Sequence, residues 1–357
     1  EMLRSLVGSE MCIRDRDTTI LPDEGLTIFT GENGSGKTNL IEAVYYASIG
    51  KSFRTGNDNE MIRLGDEEGT ILLDFTIRDV SHTIKVKLTR NQGKRIFFND
   101  NPVRKKDLMG LFRTVIFTPD ELQLIKGAPV FRRRFLDMEI SQVSPRYYAE
   151  LLRYTRAVQQ RNAAFRNARM TGIIPDTDIW DEQIGKCAAY IVRKRLETVK
   201  KMNGTVPDME SALTGNRENL EIRYKQAGSD EPRFDEEWFL ERLAAYREED
   251  AKFCHTSVGP HRDDLTFFMN GMDISIYGSQ GQQRTAILAM KLSEMEYIKE
   301  ETSEYPVLLL DDIGSELDSK RRKALMNFLE TRNIQTMVTG TDVPFDHKAK
   351  IIEVGKE

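Results

Sequence analysis

Three cysteines in 357 residues, Cys12, Cys187 and Cys254, are too few for a disulfide framework, and their spacing fits no zinc site. Cys254, His255 and His261 lie close in sequence but lack a fourth ligand at the usual spacing. No apolar run approaches the roughly 20 residues that a bilayer span requires. Arg4, Glu10, Arg14 and Asp15 break up the first stretch, so it does not read as a secretory signal. These absences point to a reducing, cytoplasmic compartment. An excess of basic charge is lacking too. With 52 Lys and Arg against 57 Asp and Glu, the net charge is −5, so contact with nucleic acid would have to rest on local basic surfaces.

What is present is ample core material, 39% hydrophobic residues, and 31% charged residues, in a length that suits two or three domains. Residues 25–29, "GLTIF", read as a buried strand, followed by "TGENGSGKT" and a helical run "NLIEAVYYASI". Ile71, Leu73, Phe75 and Ile77, then Ile84, Val86 and Leu88, alternate as half-buried strands do. "RIFFNDNPV" adds another strand and a turn, completing an antiparallel layer. From about 130 to 250 the pattern is helical: Tyr147, Leu151, Tyr154, Val158 and Phe165 share one face, and Ile184, Ala188 and Ile191 share another. Gly172 and Pro175 mark the turn of a short antiparallel arm. "YPVLLLDD" (305–312), "IQTMVTG" (334–340) and "IIEV" (351–354) read as parallel core strands. The expected organisation is an α/β nucleotide fold split into 17–125 and 251–357, with a helical lobe over 126–250 inserted.

Three stretches carry the chemistry. Gly31, Glu32, Asn33, Gly34, Ser35, Gly36, Lys37 and Thr38 fit the phosphate-loop pattern in full. Backbone N–H groups and the following helix N-terminus would face the phosphates, Lys37 would reach the β- and γ-phosphates, and Thr38 would hold Mg²⁺. Asp311 at the end of an apolar strand is placed to hold the same ion, and Asp312 to orient the attacking water. "HRDDL" at 261–265 is no kinase loop, because Phe268 stands where Asn is needed and no D-F-G follows. An N-K-x-D guanine reader is also missing. A second anion site is expected at "GSQGQQRTA" (278–286), where Ser279 and Gly281 precede a helix carrying Thr285, Leu288, Leu292 and Met295. One chain needs only one γ-phosphate cradle, so this one would serve the ATP of a second copy in a two-fold dimer.

"GENGSGKTNLIEA", "RRRFLD" (132–137), "QRNAAF" (160–165), "GPHRDDL" (259–265), "SQGQQRTA" and "LLLDDIGSELD" (308–318) together resemble the RecF family of bacterial DNA replication and repair proteins, in order from about residue 25 to the end. The resemblance implies an ABC-type, SMC-related P-loop ATPase head with an inserted helical lobe. It also implies ATP-dependent homodimerisation, binding of single-stranded and gapped DNA, weak DNA-stimulated ATP turnover, and work with RecO and RecR in loading RecA. It casts Ser279, Gly281 and Gln282 as contacts to the opposing γ-phosphate and residues 315–318 as an interface loop. "FTPDEL" (117–122) stands where relatives carry a metal-contacting Gln, and no Gln is present. Residues 1–16 match nothing in the family's opening strand and are expected to be foreign sequence in its place.

Residues 126–169 hold ten basic groups against Asp137, Glu139 and Glu150, and 85–106 hold eight against Asp100, each net +7. Residues 230–250 run the other way, with nine acids and three Arg. Arg132, Arg133, Arg134, Arg153, Arg156, Lys105 and Lys106 are therefore the candidate DNA contacts, through phosphates and without sequence preference. The competing reading, an ATPase subunit of an ABC transporter-like complex, is disfavoured by the arm, the basic segments and the absence of His in "TGTD" (339–342).

Overall fold

The computed structural model describes residues 6–13, 16–172, 175–215, 218–312, 317–340 and 349–355. The chain divides into two compact units, one formed by residues 1–121, 209–217 and 288–357, the other by 122–208 and 218–287.

The first unit holds two sheets. The parallel sheet has the order β14-β3-β13-β12-β8, with β3 Leu26–Thr30, β8 Thr114–Phe117, β12 Val307–Leu310, β13 Thr336–Thr339 and β14 Lys350–Glu353. Its central strands β12 and β13 are buried along their whole length, as continuous apolar runs require when both faces are covered. The antiparallel sheet has the order β2-β1-β4-β5-β6-β7: β1 Leu6–Ile13, β2 Arg16–Ile20, β4 Glu68–Ile77, β5 Val80–Thr89, β6 Gly93–Phe98 and β7 Asn101–Val103. Ile71, Leu73 and Phe75 on β4, and Ile84, Val86 and Leu88 on β5, turn one face inward, as their alternation predicts. Asn99 and Asp100 both take positive φ in the two-residue turn joining β6 to β7, a conformation that Asn and Asp tolerate well. Helix α1, Lys37–Ile49, is buried from Leu40 to Ile49 and packs against strands of both sheets, so it is apolar on every side rather than amphipathic. Its one buried acid, Glu42, accepts from the Ser52 hydroxyl and from Arg54 Nη1 at 3.2 Å. The foreign-sequence expectation for residues 1–16 left no strand there, yet the backbone of β1 pairs with β4 (Ser9↔Leu73, Met11↔Ile71). A ladder needs only backbone N–H and C=O groups, which almost any sequence supplies.

The second unit is mainly helical: α3 Gln123–Lys126, α4 Pro129–Val143, α5 Pro145–Thr171, most of α6 Asp178–Thr214, α7 Glu236–Ala245 and α8 Arg247–Phe253. Ser144 caps α5 by accepting from Tyr147 N at 3.2 Å, and Gly172 ends it in the left-handed conformation. Of the expected arm faces, Tyr147, Tyr154, Val158 and Phe165 are buried on α5 with Leu151 half-buried, and Ile184, Ala188 and Ile191 are buried on α6. The uniformly helical reading of 130–250 is corrected by β9 Leu220–Lys225, which joins β10 Asp264–Met269 and β11 Met272–Asp273 in a sheet of order β11-β10-β9. Leu220 and Ile222 are buried, a short alternation overlooked among helices. The other edge of β9 is occupied by an amide side chain: Asn203 accepts from Ile222 N and donates to Ile222 O, each at 2.8 Å. Because β10 pairs with β9, residues 251–287 belong to this unit, and the chain returns to the first unit at 288 rather than at 251. Helix α9, Gln280–Thr302, and helix α6 each pass from one unit into the other without a break; α2 Lys105–Leu108 and α10 Ser319–Thr331 complete the first unit.

Candidate nucleotide site and basic surfaces

The loop between β3 and α1 turns on glycines, two for their left-handed backbone and one for want of space. Gly34 and Gly36 have φ of 85° and 100°, and a Cβ on Gly31 would lie 2.4 Å from Val354 O. Lys37 Nζ donates to Gly31 O at 2.7 Å and Glu32 O at 2.8 Å, which holds its ammonium over the loop. Ser35 Oγ is buried there with no hydrogen-bond partner among the described residues, a polar atom whose burial calls for a ligand contact. Glu32, Asn33 and Gly34 are exposed at the rim.

Strand order brings the acid to this loop. Only β13 separates β3 from β12, so the ends of all three strands meet. Thr38 Oγ1 donates to Asp311 Oδ1 at 2.9 Å, and Thr339 Oγ1 donates to the same oxygen at 2.7 Å. Thr339 in turn accepts from Asp312 N at 2.9 Å. Asp311 is buried and Asp312 exposed, the latter with φ 50°, so the chain turns sharply between the two carboxylates. Thr339 was missed in the sequence; its signal was its place at the end of the strand lying between the two motif strands. The set of hydroxyl and carboxylate oxygens suits a hard divalent cation, and Thr38 and Asp311 would hold Mg²⁺.

At the start of α9, Ser279 and Gln282 form a reciprocal capping box. Gln282 N donates to Ser279 Oγ at 3.2 Å, and Ser279 N donates to Gln282 Oε1 at 3.0 Å. The S-x-x-Q spacing was there to be read. The cap uses a lone pair of the serine and leaves its O–H free to donate outward. Gln282 Nε2 also lies 3.4 Å from Glu218 Oε1. Ser279 is exposed and Gly281 partly so, while Thr285, Leu288, Leu292 and Met295 are buried along the helix. Of the interface loop 315–318, only Leu317 and Asp318 fall in the described residues; Asp318 caps α10 by accepting from Arg321 N at 2.9 Å. In "TGTD", residues 341 and 342 lie outside them. Glu121, from the segment expected to stand in for the Gln loop, ion-pairs with Lys291 at 3.5 Å.

Many motif residues of the second unit turn inward instead. Arg132 is corrected from DNA contact to core: it is 9% exposed, forks onto Asp264 at 2.7 and 3.0 Å, and donates to Gly127 O at 2.8 Å. Arg133 donates to Asp263 O at 2.8 Å, and burial followed by the Arg195 charge lowers its pKa. Arg161 is fully buried between Asp181 and Asp250, each at 2.5 Å. Arg195 forks onto Asp137 at 2.8 and 3.0 Å and donates to Pro260 O at 2.7 Å. His261 donates from Nε2 to Thr256 O at 2.9 Å and accepts at Nδ1 from Tyr154, and burial lowers its pKa to about 4, so it is a neutral structural imidazole. Arg134, Arg156 and Lys106 are exposed, as is Arg153, which pairs with Glu150 at 2.9 Å; Lys105 is half-buried.

A phosphate loop after β3, an acid at the end of β12 and an antiparallel layer on α1 define an ABC-type P-loop ATPase head. The family model described as "RecF/RecN/SMC N terminal domain" matches residues 12–354. The chain is 41% identical over 331 residues to the DNA replication and repair protein RecF of Halothermothrix orenii, covering 90% of this chain and 87% of that protein. It is 38% identical over 321 residues to the RecF of Agathobacter rectalis, covering 89% and 86%. A solved structure of "the recombination mediator protein RecF-ATP in RecFOR pathway" matches with TM-score 0.90 and 33% identity over 99% of this chain and 96% of that one. The Smc head domain of Pyrococcus furiosus shares the fold at TM-score 0.56 and 14% identity, over 95% and 90%. The chain belongs to the RecF family.

Proposed function

We propose that this chain is an ATP-dependent DNA-binding protein of recombinational repair and replication maintenance, acting in the cytoplasm. The observation that carries the reading is the cluster of Lys37, Thr38, Asp311 and Thr339 at the mouth of a phosphate loop, in a chain similar to RecF proteins along almost its whole length. Residues 31–38 bind the triphosphate of ATP, with Lys37 on its outer phosphates. Thr38 and Asp311 position Mg²⁺, which when bound neutralises phosphate charge. Asp312, exposed beyond the buried acid, accepts from and orients the attacking water. Ser279, Gly281 and Gln282 at the start of α9 offer N–H and O–H donors to the γ-phosphate held by a second copy, so ATP completes a two-fold homodimer.

The dimer binds single-stranded and gapped duplex DNA, turns ATP over weakly with DNA as stimulant, and acts with RecO and RecR in loading RecA. The ATPase lobe comprises 17–121, 209–217 and the chain from 288 onward, and residues 1–16 are foreign sequence, an idea that fails if resequencing finds the same codons at the locus. The function is tested by sedimentation with and without ATP and gapped DNA. ATP-dependent dimers that DNA stabilises are expected; a monomer under all conditions refutes the reading.

A further inference from the structure

The outward face of the antiparallel sheet carries groups that its fold does not use. Along β5, Ile84, Val86 and Leu88 are buried, which turns Lys85 and Lys87 outward. On β6 the alternation turns Arg95 and Phe97 to the same side as those lysines. The register sets Lys87 directly opposite Arg95, and Lys85 opposite Phe97, which faces Pro102 on its other side. Like charges directly opposite each other destabilise a sheet. Among the described residues, Lys85, Lys87 and Arg95 take no acidic partner within ion-pair distance. β4 carries two acids on this face: Asp74 is held by the Thr83 hydroxyl at 2.6 Å, and Glu68, opposite Thr89 at the start of the strand, is exposed and makes no ion pair with these cations. Beside this row lies a cleft of about 560 Å³ lined by Arg95, Phe97, Pro102, Arg104 and Lys105 among others, a size that accommodates a nucleotide-sized ligand.

We infer that this face is the seat of single-stranded DNA, an inference that rests on the DNA-binding function proposed above and assigns it a surface. Lys85, Lys87 and Arg95 complement the phosphate backbone, and the opposed Lys87 and Arg95 are relieved when a phosphate lies between them. Phe97 offers its ring to a base in the cleft. A base is free to stack on a side chain only when it has left its own duplex stack, which favours the single strand over the duplex. The recognition carries no sequence preference, since every base has a π-face.

The test is fluorescence anisotropy on the full chain with a labelled oligo-dT strand and a duplex of equal length, across a salt series. For Lys87→Gln with Arg95→Gln, the slope of log affinity against log salt on oligo-dT should fall by about 1.4, at about 0.7 per phosphate contact. Phe97→Leu should weaken oligo-dT binding about tenfold and duplex binding less than twofold. Binding of a fluorescent ATP analogue serves as the folding control, because none of the three residues touches the phosphate loop. If the wild type binds DNA and both variants match it in slope and affinity, this surface is wrong while the DNA-binding function stands. If the slope falls on the duplex alone and Phe97→Leu is silent, the single-strand assignment is overturned. If the wild type binds neither DNA, the proposed function itself falls.

Discussion

Arg132 and Arg134 are two residues apart in "RRRFLD", and the structure buries the first and exposes the second. Arg132→Met removes a guanidinium that satisfies both oxygens of Asp264 and the Gly127 carbonyl. Breaking a buried pair by deleting one partner costs about 3–5 kcal/mol. Asp264 keeps a 21% exposed side chain and a bond from Leu265 N at 2.8 Å, so water and backbone recover part of this. A loss of about 2–3 kcal/mol is the resulting expectation, or roughly 5–10 °C in the melting of a unit of this size. Pairing the change with Asp264→Leu should restore most of the loss, because an apolar pair replaces an ion pair at little cost. Arg134→Ala, at an exposed site, should shift stability by less than about 0.5 kcal/mol. As one of the proposed DNA contacts, it should lower the salt slope on duplex by about 0.9, the contribution of one phosphate contact. Differential scanning fluorimetry and anisotropy on both variants decide the matter. If Arg132→Met melts like the wild type and lowers the salt slope, the residue faces DNA and the reasoning from burial is refuted.

Lys37→Ala should abolish ATP binding, and with it ATP-dependent dimers, as measured by equilibrium binding and sedimentation; unchanged dimerisation refutes its role. Asp312→Asn should leave ATP bound and unhydrolysed, trapping the dimer on DNA, and wild-type turnover would assign the water to another residue. Ser279→Asp keeps an N-cap acceptor, so α9 should stay folded, but it turns a carboxylate toward the opposing phosphate and should abolish turnover. Mixed at random with Lys37→Ala subunits, it should restore about a quarter of wild-type turnover, since half the dimers are mixed and each has one intact site of two. If the Ser279→Asp protein alone turns over normally, Ser279 is only a cap. His261 titrates in the folded state at about 4, below its ordinary 6.5, so the unfolded chain binds the extra proton first as pH falls. Stability should be unaffected above pH 6.5 and fall by about 3 kcal/mol by pH 4, and His261→Gln should flatten that part of the urea-denaturation profile.

The parallel core and the phosphate loop were legible because they are local. A run such as "VLLLDD" and a glycine-rich turn report their surroundings within a few residues. Thr339 was not legible, because its role depends on β13 lying between β3 and β12, a neighbourhood set by topology. Nor was the fate of Arg132, Arg161 and Arg195. Arginine in a charge run reads as solvated surface until the carboxylates that bury it, Asp264, Asp250 and Asp137, arrive from distant segments. β9 was lost because six residues of alternation carry little signal between helices. Ser279 shows a different limit: one hydroxyl can cap its own helix and still offer its proton elsewhere, so a local pattern decides the first role and leaves the second to an experiment.

Helices α6 and α9 each begin in one unit and end in the other, with the change at 208–209 and at 287–288. Neither unit is therefore a detachable piece of chain. A cut at either place would sever an intact helix and strand up to about four N–H and four C=O groups at the new ends. Gene fragments drawn at these boundaries should be insoluble, and duplication, fusion or exchange of one unit between relatives should fail unless the partner unit travels with it. The two units would thus be inherited as one.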